Sequence, residues 1–130
     1  MQPTSSLRTP LSRVRGLGSA RAGTGHFWLQ RMTAVSNLLL TLVFLGVLVS
    51  LIGSTYEAAI ATLSHPLVAI LMLLFVVSAC VHMRLGMQII IEDYVHHEGL
   101  KILAVMGNTF FAIVVGAASV YAVLKLSFGG

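Results

Sequence analysis

Three long stretches without charged side chains constrain this chain more than any other feature. No Asp, Glu, Lys or Arg occurs over residues 32–56 or 102–124, and residues 66–91 carry only one, Arg84. About 20 apolar residues in a helix span the ~30 Å hydrocarbon core of a bilayer. Only 9% of the 130 residues are charged, against about 25% in soluble domains. The sequence therefore predicts an all-α membrane protein with three transmembrane helices.

The apolar stretches define two regions of the chain. Residues 1–24 form a segment rich in Ser, Gly, Pro and Arg, which is predicted to be irregular or only locally ordered. Residues 25–130 form the membrane domain, with spans predicted at 29–53, 66–92 and 100–126. Three spans leave no room for a separate soluble enzyme domain, so the chain is not expected to catalyse a reaction alone.

Several residues have predicted places in these spans. Pro66 suits the first turn of the second helix, and residues 54–65 form the connection before it. The small side chains of the third span are candidate points of close helix packing: Gly107, Gly116, Ala117 and Ala118. Cys80 is the only cysteine and is interpreted as a small buried hydrophobic residue rather than a redox centre.

The basic residues predict the orientation. Five of the eight Lys and Arg residues lie in the first 31 positions. Positive segments stay on the cytoplasmic side, so the N-terminus is expected there, in a bacterial inner membrane. A secretory signal fits poorly because the first 27 residues contain no apolar run. An Arg-rich transit peptide, and hence a mitochondrial inner membrane, is the alternative. A net charge of +4 does not suggest nucleic acid as a partner.

His82 lies in the middle of the second predicted span. An ionisable side chain inside a bilayer indicates a functional site, and a neutral imidazole is a good ligand for haem iron. The alternative is a histidine that only hydrogen-bonds to a neighbouring helix. At 100° per residue, small side chains share its helix face and would admit a flat macrocycle. The face comprises Phe75, Ser78, His82, Gly86, Ile89 and Asp93.

Two further features limit a haem site in this chain. None of the other four histidines lies at the depth of His82, so a second axial imidazole must come from another chain. Arg84 points away from His82 on a helix and needs an anionic partner, either a haem propionate or a carboxylate of another chain.

The end of the second span and the turn after it carry several polar candidates. Asp93 and Tyr94 end the span, and each has a simpler interpretation: a capping carboxylate and a member of the interfacial aromatic belt. His96, His97 and Glu98 could suggest a metal cluster, but a solvated turn is favoured because adjacent side chains diverge and no fourth ligand is evident.

Two motifs resemble one known family. Residues 82–94 match the pattern H-x-x-x-G-x-x-x-x-x-x-D-Y, and residues 31–34 match R-x-T-A at the start of the first span. Both resemble the small hydrophobic membrane anchor of succinate dehydrogenase, respiratory complex II. The resemblance covers about residues 16–128. The run Gly-Ser-Ala-x-x-Gly-Thr-Gly-His before the first span is most similar to alphaproteobacterial members.

The resemblance implies an assembly and a set of site residues. In that family the anchor pairs with a second membrane anchor of another type, and the pair holds an iron–sulfur protein and a flavoprotein against the membrane. Electrons from succinate pass to ubiquinone, and haem b lies between the anchors. By this resemblance His82 is an axial haem ligand, while Arg31 and Arg84 lie near the haem propionates and the quinone pocket. Tyr94 and Asp93 belong to the quinone site.

Two other functions stay open at this point. The first is the anchor of a quinol:fumarate reductase, which has a similar architecture and the opposite direction of reaction. The second is a structural or assembly protein of the membrane that binds no cofactor.

Overall fold

The computed structural model describes residues 9–16 and 23–129, and their fold is entirely helical. The helices are α1 (Pro10–Val14), α2 (Gly23–Leu51), α3 (Tyr56–Leu63), α4 (Pro66–Tyr94) and α5 (Glu98–Ser127). α2, α4 and α5 are long and apolar enough to cross a membrane. The prediction of an all-α protein with three spans is therefore confirmed. Most of the predicted irregular segment, residues 1–24, lies outside the described residues.

Each long helix extends beyond its predicted span. α2 starts six residues before the predicted position 29, and α4 and α5 each run further at one or both ends. At 1.5 Å per residue, the 29 residues of α4 cover about 43 Å, which exceeds the ~30 Å hydrocarbon core. The helix ends are therefore expected to extend into the interfacial layers. Their polar residues lower the hydropathy there, so hydropathy does not predict where the helices end.

Histidines begin two of the helices. Pro66 occupies the first turn of α4, as predicted, and Nδ1 of His65 accepts a hydrogen bond from the Leu67 N–H at 3.3 Å. Nδ1 of His97 accepts one from the Leu100 N–H at 3.4 Å and caps α5 in the same way. Each imidazole satisfies a backbone N–H that has no partner within the helix.

The connection between the first two spans contains a helix that the sequence analysis missed. α2 ends before Gly53, whose φ of +76° suits glycine. The Thr55 hydroxyl then accepts a hydrogen bond from the Ala58 N–H at 3.3 Å and caps α3. Glu57 in the first turn of α3 complements the helix dipole. A helix of eight residues is too short to show a clear apolar period.

α4 is the central helix of the fold and packs against α2 and α5. Only four side chains in the described part of the chain are buried, and they are Thr33, Ala69, Leu85 and Ala112. Most large apolar side chains of the three spans are exposed. Such a surface is stable against lipid tails or against the apolar face of another membrane chain.

α4 and α5 approach each other beside a glycine. A Cβ added to Gly116 would lie 3.5 Å from Sγ of Cys80. That distance is ordinary van der Waals contact, so the close-packing role of Gly116 stays a prediction, and Cys80 beside it is half-buried. Gly107 takes no part in this contact, because a Cβ there would meet no other described atom within 4 Å. Ala112 is buried instead.

Candidate functional site

His82 lies just past the middle of α4, where it faces α2. It is half-buried, and its Nδ1 lies 3.1 Å from the hydroxyl of Thr33. Thr33 is 8% exposed and is the only buried residue of α2. The same hydroxyl lies 2.8 Å from the Leu29 carbonyl oxygen and 3.1 Å from that of Gln30. The imidazole is therefore held to a neighbouring helix through one nitrogen, and Nε2 makes no hydrogen bond to any residue that the structure describes.

The predicted face of α4 does lie against α2. The hydroxyl of Ser78 is 3.5 Å from the Thr33 carbonyl oxygen, and the ring of Phe75 stacks on Phe44 with centroids 5.1 Å apart. Gly86 also lies at this contact. A Cβ at Gly86 would lie 3.3 Å from Nε2 of Gln30, so its small size admits a side chain of α2, and its place beside a macrocycle stays a prediction.

An open apolar groove runs along α2 and α4 beside this contact. Its volume is about 540 Å³, and Thr33, Ser36 and Ser78 are its polar lining residues. Seven apolar side chains complete the lining: Leu29, Met32, Leu39, Leu40, Leu74, Val77 and Val81. The groove is therefore an apolar surface with a few hydroxyl groups. Thr33, which contacts the imidazole of His82, is part of its lining.

Arg84 lies on the opposite side of α4 from His82, as predicted. Its Nε donates to the hydroxyl of Thr109 in α5 at 3.3 Å, and the Asn108 amide donates to the Arg84 carbonyl oxygen at 2.9 Å. No carboxylate pairs with Arg84 among residues 9–16 and 23–129. A guanidinium within a membrane span usually pairs with an anion, and the described residues supply none.

Arg31 lies in α2, immediately before the uncharged stretch that begins at residue 32. Its guanidinium carbon is 4.5 Å from the centroid of the Phe27 ring, and Phe27 in turn meets the edge of Trp28 at 5.8 Å. Arg31 is exposed and precedes Thr33 by two positions. The structure therefore places a cation near the depth of the His82 contact but does not join the two side chains.

Asp93 and Tyr94 form the last turn of α4, about 18 Å along the helix from His82. Both are exposed, and Tyr94 is 77% exposed. A pocket of about 320 Å³ with both polar and apolar lining residues lies nearby, between the start of α2 and the end of α4. His26, Gln88 and Glu92 line it, and the Gln88 amide donates to Glu92 at 2.8 Å. The last turn thus presents a phenol and carboxylates at one membrane surface.

A metal site built from several side chains is not apparent in the described part of the chain. No group of three or more His, Cys, Asp or Glu residues there could hold an ion. His97 instead caps α5. A single imidazole, that of His82, is what this chain offers an iron within the apolar part of α4.

Two residues of the contact between α2 and α4 were not predicted from the sequence. Thr33 was part of the quoted R-x-T-A motif, but nothing in the sequence joined it to a residue 49 positions away. Gln30 precedes that motif and fills the space above Gly86. The only sequence signal for the contact between Thr33 and His82 is the R-x-T-A motif, which places a polar residue on an apolar helix.

Comparison with known proteins identifies a group of similar chains. A model of the succinate dehydrogenase/fumarate reductase transmembrane subunit family matches residues 5–123. A succinate dehydrogenase hydrophobic membrane anchor subunit of Paracoccus denitrificans is 36% identical over 121 residues, which cover 93% of each chain. A protein of the same description from Rickettsia bellii is 31% identical over 120 residues, covering 92% of this chain and 96% of the relative. No solved structure matches the chain significantly.

Proposed function

We propose a role for this chain in an assembled complex. The chain belongs to the succinate dehydrogenase/fumarate reductase transmembrane subunit family. It anchors a succinate:quinone oxidoreductase in the membrane. It contributes one axial ligand of haem b and part of the ubiquinone site. The chain has no catalytic centre of its own, and it acts as a subunit of the complex.

His82 is the proposed haem ligand. Its position fits, because Nδ1 is held by Thr33 while Nε2 makes no hydrogen bond to the described residues. The adjoining groove is apolar and open on one side, as a site shared with a second chain requires. A haem bound there would accept and release single electrons. The second axial ligand comes from the partner anchor, because no other histidine of this chain lies in the apolar part of a described span.

Tyr94 and Asp93 are the proposed quinone-site residues. The Tyr94 hydroxyl can donate a hydrogen bond to a quinone carbonyl oxygen, and the exposed carboxylate of Asp93 can pass protons from water. Both lie at the end of a span, where an apolar quinone reaches polar groups while its tail stays in lipid. Their exposure in the isolated chain leaves this surface for the iron–sulfur subunit to cover.

Arg31 and Arg84 are proposed to balance anions near the haem. Arg31 belongs to α2 and lies two positions from Thr33, about 200° around the helix, and Arg84 projects toward α5. A propionate is the proposed partner of Arg31. For Arg84, either a propionate or a carboxylate of the second anchor would supply the anion that the described residues lack.

The proposed location is a bacterial inner membrane with the N-terminus in the cytoplasm. The Arg-rich start of the chain supports it through the preference of positive segments for that side. The flavoprotein and iron–sulfur subunits would then lie on the cytoplasmic face, next to Tyr94. The proposal as a whole depends most on one observation, the half-buried His82 held against Thr33 inside an otherwise apolar helix pair.

Purification of the complex tests the proposal. The tagged chain is extracted from its native membranes in mild detergent, its partners are identified by mass spectrometry, and a reduced-minus-oxidised spectrum is recorded. We expect a second membrane anchor, an iron–sulfur chain and a flavoprotein, a low-spin haem b spectrum, and succinate-dependent ubiquinone reduction. A stable homo-oligomer without haem would contradict the proposal. Faster quinol oxidation with fumarate than succinate oxidation would favour the fumarate reductase alternative.

A further inference from the structure

Thr33 is a buried hydroxyl on a helix whose other described side chains are exposed or half-buried. A hydroxyl removed from water without a hydrogen bond is costly. Thr33 avoids that cost through three close contacts, namely two carbonyl oxygens of its own helix and Nδ1 of His82. These contacts determine which ring nitrogen of His82 carries the proton.

The direction of the bonds follows from counting protons. A threonine hydroxyl has one proton to donate and two lone pairs that accept. The carbonyl oxygens of Leu29 and Gln30, at 2.8 and 3.1 Å, can only accept. The hydroxyl proton therefore points toward them, and the third contact, at 3.1 Å, is completed by a proton on Nδ1 of His82.

The opposite assignment places two lone pairs against each other. If the hydroxyl donated to Nδ1, its oxygen would lie 2.8 Å from the Leu29 carbonyl oxygen with no proton between them. That separation is a normal hydrogen-bond distance for O–H···O and is repulsive without the proton. The neutral imidazole of His82 thus carries its proton on Nδ1, which leaves the Nε2 lone pair available.

We infer that Thr33 is a positioning residue for the haem site, one that fixes the His82 tautomer and makes Nε2 the iron-binding atom. The inference rests on the proposed role of His82 as an axial ligand. Histidines that bind metals commonly donate their other ring N–H, which fixes the ring and makes it a stronger ligand. A carboxylate or a backbone carbonyl is the usual acceptor, and here a hydroxyl takes that place.

The contact has a second function in orienting the ring. The Thr33 hydroxyl is itself fixed by the first turns of α2, and the Thr33 carbonyl oxygen accepts from Ser78, one turn before His82. A rotation of the imidazole would break the bond to Thr33, so α2 determines the plane of the ring relative to α4.

Substitution at Thr33 in the assembled complex tests the inference. Thr33→Val keeps the shape of the side chain and removes the acceptor, whereas Thr33→Ser keeps the hydroxyl. Loss of the acceptor weakens His82 as a ligand for ferric iron. Such outer contacts typically change metal affinity by about 10- to 100-fold, of which tenfold is the lower end. Tenfold corresponds to about 59 mV for one electron, so Thr33→Val should raise the haem midpoint potential by roughly that amount. Thr33→Ser should keep the wild-type value.

The readouts are a redox titration of the haem spectrum and the low-spin EPR g values. Thr41→Val, the same change about two turns further along α2, is the matched control and should leave both unchanged. Should Thr33→Val fail to assemble, Thr33→Cys replaces the hydroxyl by a weaker acceptor and should also raise the potential.

Two outcomes overturn the inference while leaving the proposed function intact. The first is an unchanged potential and EPR spectrum in Thr33→Val, or in Thr33→Cys where that variant is needed. The second is an equal shift in Thr33→Ser and Thr33→Val, which would mean that packing of the methyl group matters and the hydroxyl does not. A wild-type complex without haem would instead contradict the proposed function itself.

Discussion

The hydroxyl of Thr33 lies 3.1 Å from Nδ1 of His82 and joins α2 to α4 inside the apolar part of the fold. Two interpretations of a membrane histidine, a structural hydrogen bond and an iron ligand, are therefore compatible in one residue. Nδ1 makes the interhelical hydrogen bond expected of a structural histidine, and Nε2, which bonds to no described residue, is left for the proposed iron. A contact between helices does not argue against a haem ligand, because the two uses engage different nitrogens.

Tyr94→Phe should selectively slow quinone reduction. The change removes one hydroxyl and little volume, and a lost hydrogen bond to a buried partner costs about 1–3 kcal/mol. Where that bond strengthens in the transition state, ubiquinone reduction by the complex should fall by roughly 10-fold. Succinate oxidation with an artificial acceptor that takes electrons before the quinone, and haem content, should not change.

Tyr56→Phe is the matched control for this experiment. Tyr56 is as exposed as Tyr94, at 77%, and it starts α3 at the opposite membrane surface. If both substitutions leave quinone reduction intact, Tyr94 belongs only to the interfacial aromatic belt. Equal losses with quinone and with the artificial acceptor would instead indicate damage to assembly.

Gly86→Ala should destabilise the contact between α2 and α4. The added Cβ would lie 3.3 Å from Nε2 of Gln30, which is tighter than ordinary packing. Overpacking costs about 1–3 kcal/mol, and the better helix propensity of Ala offsets about 0.5–1 of it. A lower melting temperature of the purified complex is therefore expected. The double variant with Gln30→Ala should recover much of the loss, since the blocking amide is absent.

Gly107→Ala provides the comparison, because a Cβ there meets no other described atom within 4 Å. That variant should melt at or above the wild-type temperature. Equal melting temperatures for Gly86→Ala and Gly107→Ala would contradict this prediction. They would show that the Gln30 side chain moves aside without strain and that the packing of α2 against α4 does not need Gly86.

Arg84→Leu should reduce assembly of the complex. The guanidinium has only a hydroxyl and no carboxylate among its described partners, and in the proposed complex another chain or the haem supplies the anion. Removing one member of a buried ion pair costs about 3–5 kcal/mol, because the other charge is left unpaired. The yield of intact complex from membranes, measured by the recovery of its soluble subunits with the tagged chain, should fall sharply.

Thr109→Val separates that effect from contacts within this chain. It removes the only hydrogen bond of the Arg84 guanidinium to the described residues and leaves the charge in place. Its yield should stay close to wild type. A normal yield for Arg84→Leu would mean that this arginine balances no buried anion.

The sequence predicted the spans because hydropathy is a property of each segment by itself. It also placed His82 and Arg84 on opposite sides of α4, since helical geometry alone determines that relation. It could not predict that Gly86 accommodates Gln30 or that Thr33 holds His82, because these contacts depend on how α2 lies against α4. The helix α3, which Thr55 caps, was missed for another reason. A helix this short carries too few residues to show a clear apolar period.

The haem spectrum of the complex carrying His82→Ala tests the central claim most directly. The variant is purified through its partner chains, and its reduced-minus-oxidised spectrum and midpoint potential are compared with wild type and with His96→Ala, an exposed histidine of the turn after α4. Loss of one axial imidazole should abolish or alter the low-spin spectrum in His82→Ala and leave His96→Ala unchanged. A wild-type spectrum and potential in an assembled His82→Ala complex would show that His82 is a packing residue and that the iron is bound elsewhere.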